Sequence, residues 1–138
     1  MSSRDEAPRK ILLMDDSELA LMVEKHYLTN AGYEVRTASN LTEFDEALAD
    51  WSPDMILTDV DMPEAGGDEI CRIVKQRDGA SHAPVVLFSG LPDDALAKLA
   101  QRAGADGYVS KANNADNLVS QVGALCESIF SGGGSRPP

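Results

Sequence analysis

The chain reads as an α/β protein built on one doubly wound sheet, with five βα units in succession and five parallel strands in the order 2-1-3-4-5. Three observations predict this. Apolar runs of four or five residues alternate with longer segments whose apolar residues recur at helical spacing. Gly, Pro, Ser and Asn punctuate the joins between them. Polar residues stand where apolar runs stop: Asp15-Asp16, Asp59, Ser89 and Lys111. Alternating strands and helices imply a parallel sheet covered on both faces, and right-handed crossovers leave few arrangements of five strands. The order 2-1-3-4-5 puts a switch point between strands 1 and 3, and ligands bind at the carboxyl ends of strands beside such a point.

The elements follow in order. Residues 1–9 form a polar head expected to be disordered, and Lys10–Met14 is the first strand. Ser17–Ala31 carries Leu19, Met22, Val23, Tyr27 and Leu28, a spacing that assigns them to one helical face, with Gly32 as the C-terminal cap. Glu34–Ala38 alternates as a second strand, and Ser39 or Asn40 caps a helix from Leu41 to about Asp50. Ser52-Pro53-Asp54 breaks the chain before the third strand, Met55–Thr58. The loop Met62-Pro63-Glu64-Ala65-Gly66-Gly67 leads to a helix from about Asp68 to Gln76, with Ile70, Ile73 and Val74 turned inward. A turn around Arg77–Ala83 precedes the fourth strand, Pro84–Phe88. Pro92 suits the first turn of a helix that runs to about Ala103 and stops at Gly104. Gly107–Ser110 is the fifth strand and Asn114–Phe130 the last helix. Residues 131–138 are rich in Gly, Ser and Pro and expected to be disordered, which leaves one domain over residues 10–130.

Composition narrows the class. At 138 residues, 43% hydrophobic and 25% charged, the chain is an ordinary globular domain. A net charge of −11 argues against nucleic acid as a partner, because phosphates demand a basic surface. Cys71 and Cys126 form neither a disulfide framework nor a metal motif and read as reduced core residues, which suits the cytoplasm. The head lacks the apolar core of a signal peptide, and no apolar stretch approaches the ~20 residues of a membrane span.

The strand-end cluster carries the chemistry. Two unit charges ~4 Å apart repel by about 4 kcal/mol at an effective dielectric near 20. Three carboxylates gathered on one sheet edge must therefore raise a pKa, bind a cation, or do both. Hard carboxylate oxygens suit Mg²⁺, with Mn²⁺ able to substitute in the same shell. A carboxylate beside such a cation, with an amine and a hydroxyl close by, is a workable phosphoryl acceptor. Asp59 is the best nucleophile because it follows the most central strand; Asp15 and Asp16 serve as metal ligands, and Ser89 and Lys111 meet the phosphoryl oxygens. Singly, each has a plainer use. Asp15-Asp16 can cap a helix, Asp59 can begin a turn, Ser89 before Gly90 can shape one, Lys111 can reach solvent, and Tyr108 can be an edge aromatic.

The acidic pair, the segment Asp54-Met55-Ile56-Leu57-Thr58-Asp59 with Met62-Pro63 and Gly67, the Ser89-Gly90 pair and Lys111 together resemble the receiver domain of two-component response regulators, the flavodoxin-like chemotaxis fold. The resemblance spans about Lys10 to Phe130. It implies that Asp59 accepts a phosphoryl group, that Asp15, Asp16, Asp59 and the backbone carbonyl of Asp61 hold Mg²⁺, and that Lys111 pairs with the acceptor and then with the phosphoryl group. It implies Ser89 as the switch hydroxyl, Tyr108 as the aromatic that follows it, and a phosphohistidine on a histidine kinase or phosphotransfer protein as the donor. Surface residues of the first helix around Leu19, Ala20 and Val23 are where such receivers meet their kinase. The output would be a population shift of the face around the fourth helix, fifth strand and fifth helix, read by a downstream effector protein. Chemistry of this kind is self-catalysed phosphorylation with slow autodephosphorylation, short of a conventional enzyme. With no DNA-binding or enzymatic segment after residue 130, the chain reads as a stand-alone receiver, the alternative being that its tail is a linker cut from a longer protein.

Three positions depart from the family pattern: Ala112 replaces the usual proline after Lys111, Asp61 adds a carboxylate, and Gly66 stands where a polar residue is common. Two rival readings compete. Asp59-Val60-Asp61 also resembles the nucleophile motif of haloacid-dehalogenase-type phosphatases, although Pro63 occupies its fifth position. The fold can also act as an interaction module that needs no phosphorylation.

Overall fold

The computed structural model describes residues 9–60, 66–78, 83–111 and 115–131. Five strands, β1 Lys10–Met14, β2 Glu34–Ala38, β3 Met55–Asp59, β4 Val85–Ser89 and β5 Gly107–Ser110, form one sheet in the order β2-β1-β3-β4-β5. Every pairing is parallel. The helices are α1 Glu18–Asn30, α2 Leu41–Trp51, α3 Gly67–Asp78, α4 Asp93–Ala103 and α5 Ala115–Cys126, the last running into a π-helical turn at Glu127–Ser131. The expected order and five βα units are all present. The expected disordered head lies almost wholly outside the described residues, as do tail residues 132–138; Ser131, expected in the tail, closes the π-helical turn.

Strand periodicity divides the core in two. Leu12, Met14 and Ile56 point to one face and pack with Phe44 and Leu48 of α2 and with Ile70 and Val74 of α3. Ile11, Leu13, Met55 and Leu57 point to the other and pack with Leu21 and Leu28 of α1 and with Leu118 and Val122 of α5. Helix α4 covers the β4–β5 end through Leu96 and Ala100, against Leu87 and Val60. Strands β3 and β4 are buried along their whole length, as continuous apolar runs of a doubly covered parallel sheet should be. Cys71 and Cys126 are buried thiols, as expected.

Local chemistry sets the boundaries. The Ser17 hydroxyl accepts the Ala20 N–H and starts α1. Asn40 Oδ1 accepts the Glu43 N–H while the Glu43 carboxylate takes the Ser39 N–H, fixing the start of α2 from both sides. Gly104, with φ +78°, closes α4 in the left-handed conformation that glycine tolerates. At the amino edge of the sheet, Asp54 accepts the Lys10 N–H at 2.8 Å and Asp106 accepts the Val85 N–H at 2.9 Å, so each strand entrance is clamped to a neighbouring connection.

Two expectations are corrected. Strands β3 and β4 each end one residue later than the sequence spacing suggests. Asp59 pairs in register with Phe88 and Ser89 with Ser110, so both site residues belong to their strands. The five apolar residues assigned to one face of α1 also divide, with Leu28 buried and the other four exposed. Leu21 and Leu28 are its buried side chains, whereas Leu19 is 70% and Met22 69% exposed, with Val23 and Tyr27 exposed beside them. Apolar residues lie on nearly every side of this helix, so spacing alone selects no face, and the packing of α1 against β1 and α5 decides.

Candidate functional site

Four of the five strands deliver polar groups to the carboxyl edge. Asp15 follows β1, Asp59 ends β3, Ser89 ends β4 and Lys111 follows β5. Because β1 and β3 are neighbours, Asp15 and Asp59 flank the point where the strand order reverses. Asp15 is 1% and Asp59 7% exposed, while Asp16 opens to solvent. One carboxylate oxygen from each of the three lies within 4.8 Å of the others.

The connections hold these groups in place. Asp15 Oδ1 accepts the Ser17 N–H at 3.0 Å, turning the chain into α1, and Oδ2 accepts from Lys111 Nζ at 3.0 Å. The same Nζ lies 3.7 Å from Asp59 Oδ2 and 4.9 Å from the centre of the Phe88 ring. Burial works against the Lys111 charge, but the Asp15 hydrogen bond and the Asp59 and Asp15 carboxylates outweigh it and push its pKa up. Lys111 N–H donates to the Ser89 carbonyl at 2.7 Å, tying the residue after β5 to the end of β4. Gln121 of α5 reinforces that end, accepting the Ser110 N–H at 3.1 Å and donating to the Ser110 carbonyl at 3.2 Å.

Ser89 is buried, and its hydroxyl oxygen accepts the Leu91 N–H at 3.1 Å, which leaves the hydroxyl proton to donate. Tyr108 is half-buried and packs with the α4 cluster of Val60, Leu87, Leu96 and Ala100. Asp61, expected to offer its backbone carbonyl to a metal, lies outside the described residues, as do Met62, Pro63 and Ala112.

The donor set fits a hard divalent cation. Three ionised carboxylates beside one ammonium leave a formal charge of −2, and all the available ligand atoms are oxygen. One neighbour escaped the sequence reading. Glu24, on the inner side of α1, has its carboxyl pKa raised from 4.5 to about 7, chiefly by burial and then by the Asp15 charge. Glu24 falls three residues after Leu21 and four before Leu28, within a buried stripe that the packing of α1 decides and the local sequence does not.

The comparisons with known proteins agree with this geometry. The family model for the response regulator receiver domain matches residues 11–123. The chain belongs to that family. This receiver is 26% identical over 116 residues to the polar-differentiation response regulator DivK of Brucella anthropi, covering 83% of this chain and 94% of DivK. It is 28% identical over 117 residues to the transcriptional regulatory protein GltR of Pseudomonas aeruginosa, covering 85% of this chain and only 48% of GltR, about half the relative's length. Among solved structures, the chemotaxis response regulator CheY4 of Vibrio cholerae superposes with a TM-score of 0.76 at 26% identity, covering 86% of this chain and 98% of that one. The BeF3-activated DrrB receiver domain gives 0.71 at 29% identity, covering 87% and 98%. A phosphorylation switch in two-component signalling is the general function of that family. No helix among the described residues is long and apolar enough to cross a membrane.

Proposed function

We propose that this receiver accepts a phosphoryl group on Asp59 from a phosphohistidine of a histidine kinase or phosphotransfer protein in the cytoplasm. Asp15, Asp16, Asp59 and the Asp61 backbone carbonyl would hold Mg²⁺, with Mn²⁺ able to substitute. The cation supplies charge neutralisation on the phosphoryl oxygens. An Asp59 carboxylate oxygen attacks phosphorus, the bond to the donor's ring nitrogen breaks, and the imidazole leaves. Lys111 supplies a fixed positive charge to the transferred group, and Ser89 donates its hydroxyl hydrogen bond to it. Tyr108 then repacks against the α4 cluster, and the face of α4, β5 and α5 changes its affinity for an effector protein.

One observation carries this reading: a single ammonium spans Asp15 and Asp59, at 3.0 and 3.7 Å, beside a third carboxylate. That is a pre-built anion site for a transferring phosphoryl group at a cation-ready carboxylate cluster. The test is incubation with acetyl phosphate and Mg²⁺ followed by intact mass measurement. One added phosphoryl group, absent in Asp59→Asn, is the expected result. A wild-type chain that stays unlabelled, while another receiver is labelled alongside it, would overturn the assignment.

The exposed face of α1 supports a place for the donor. Leu19, Met22, Val23 and Tyr27 line an open apolar groove of about 640 Å³ on the helix that starts just after Asp15-Asp16. We assign this face to the phosphodonor, whose apolar surface would cover it during transfer.

A further inference from the structure

Charge is unevenly placed on this chain. It carries 23 Asp and Glu against 12 Lys and Arg, yet residues 70–76 of α3 and residues 95–105, which end α4, hold no carboxylate. Those two stretches contribute Arg72, Lys75, Lys98 and Arg102 instead, all of them exposed. Helices α3 and α4 pack side by side. Arg72, Lys75 and Gln76 of α3 face Arg102 and Ala103 of α4 across an open groove of about 640 Å³. The three α3 residues are spaced as neighbours on one helical face, and Lys98 stands one turn before Arg102 on α4. Lys75 reaches across from its own helix: a Cβ at Gly104, the glycine that closes α4, would lie 2.8 Å from the Lys75 Nζ. Ala103, packed against the core on both its sides, gives the groove a low apolar floor.

Cations near helix C-termini offset the helix dipole, which accounts for Arg102 in the last turn of α4 and for Lys75 near the end of α3. It does not account for Lys98 in the middle of α4, for Arg72, which pairs with Glu69 in the middle of α3, or for walls without carboxylates. The fitting occupant is an anion, and the lining narrows its kind. Among the described residues no aromatic ring lines the groove, so a nucleobase has no surface to stack on. Helix C-termini border it, whereas a compact phosphate favours N-termini. A second copy of this chain would bring a net charge of −11 against its own like charge. An extended peptide meets all three conditions, because its carboxylates are spread out as the cations are, over two helices packed ~8–10 Å apart. We propose that the α3–α4 groove is a docking surface for an acidic segment of a partner protein, a run of Asp and Glu laid across Arg72, Lys75 and Arg102.

The groove lies toward the edge of the sheet opposite the acceptor. Helix α4 closes at Gly104 and the chain enters β5 at Gly107, so the C-terminal end of α4 sits by the amino ends of the strands. Asp59 and Lys111 stand at the carboxyl ends. Helix α1 packs on the other face of the sheet from α3. A partner held by α3 and α4 therefore stays bound while a phosphodonor occupies α1. Such docking needs neither phosphoryl group nor cation and stands apart from the function proposed above. Exposed ion pairs are weak singly and screened by salt, so several must act together and the binding is salt-sensitive.

A fluorescein-labelled octaglutamate peptide, titrated with the whole chain and followed by anisotropy and amide NMR, tests this. In about 10 mM salt, where charge acts over ~30 Å, one peptide should bind saturably and shift the amides of Arg72, Lys75, Gln76 and Ala103. Raising the salt to about 0.3 M should weaken it by about tenfold or more. Lys75→Gln with Arg102→Gln should also weaken it about tenfold, whereas Lys75→Arg with Arg102→Lys, which keep both charges, should stay within about threefold of wild type. Lys25→Gln with Arg36→Gln, which remove as much charge from α1 and β2, should bind as wild type does. No saturable binding in low salt, equal weakening by both charge-removing pairs, or shifts confined to other surfaces would overturn the proposal. Tighter binding of inorganic phosphate or of an RNA oligonucleotide at the same amides would overturn it too. So would self-association of wild type that is lost with Lys75→Gln and Arg102→Gln, since the occupant would then be a second copy.

Discussion

Two carboxylates nearly sealed from water share one ammonium, so the residues of this site are bound to each other by charge before any ligand arrives. Removing Lys111 leaves Asp15 and Asp59 facing each other without it. Lys111→Met should therefore cost the metal-free protein about 2–4 kcal/mol, less than a wholly buried pair would, because the lysine is partly exposed. Added Mg²⁺ should restore most of that loss, as read by urea denaturation with and without the cation. Glu24 makes the opposite kind of demand. Its folded-state pKa of about 7 stands above the ordinary 4.5, so it adds stability that is complete below about pH 4.5 and is lost as the pH rises through 7. Allowing for the solvent that reaches it, the effect is about 1–2 kcal/mol. In EDTA, wild type should lose that much relative to Glu24→Gln between pH 4.5 and 7.5, measured by thermal or urea unfolding at each pH; a constant difference between the two would remove Glu24 as the cause. The acceptor residues themselves were readable because each ends an apolar run, whereas Glu24 was not, because its meaning depends on which way α1 faces.

At the scale of elements, α1 is where sequence patterning lost its power. Its apolar residues surround the helix, so the 3.6-residue period favours no side, and the residues assigned to one face fall on two: Leu28 is buried, while Leu19, Met22, Val23 and Tyr27 are exposed. The other helices carry a clearer division, and there the expected inward residues, such as Ile70 and Val74 of α3, are buried. The exposed apolar residues have a functional consequence. Leu19→Glu combined with Met22→Glu should leave stability nearly unchanged, because both side chains are already in solvent. It should leave phosphorylation by acetyl phosphate intact and slow transfer from a phosphohistidine donor by about tenfold or more, consistent with the loss of about 1.4 kcal/mol or more of binding. Matched rates from both donors in wild type and variant would remove α1 as the docking face. The strand ends behaved differently. The extra ladder pairs that draw Asp59 and Ser89 into β3 and β4 come from neighbouring strands, and such long-range pairing leaves no trace in a local run of residues.

For the molecule as a whole, topology does what no single element does: it carries residues from opposite ends of the chain, Asp15 and Lys111, to a 3.0 Å contact. The strand order followed from the alternation of periodicities and from the handedness of crossovers, which is why so much of the architecture was legible without coordinates. A site assembled this way should report ligand binding as global stability. With Mg²⁺ at a hundredfold its Kd, linkage adds about 2.7 kcal/mol, and the unfolding midpoint should rise on the order of 10 °C. Asp16→Asn should abolish most of that rise in differential scanning calorimetry while barely altering the metal-free midpoint, since Asp16 is exposed. One last contact has a use of its own. The Gln121 amide closes on both backbone groups of Ser110, so the Ser110 amide hydrogen is guarded in part by a side chain from another layer. Its exchange with deuterium then becomes a clock for the undocking of α5, and a single peptide amide would time a movement otherwise inferred only from the partner that responds to it.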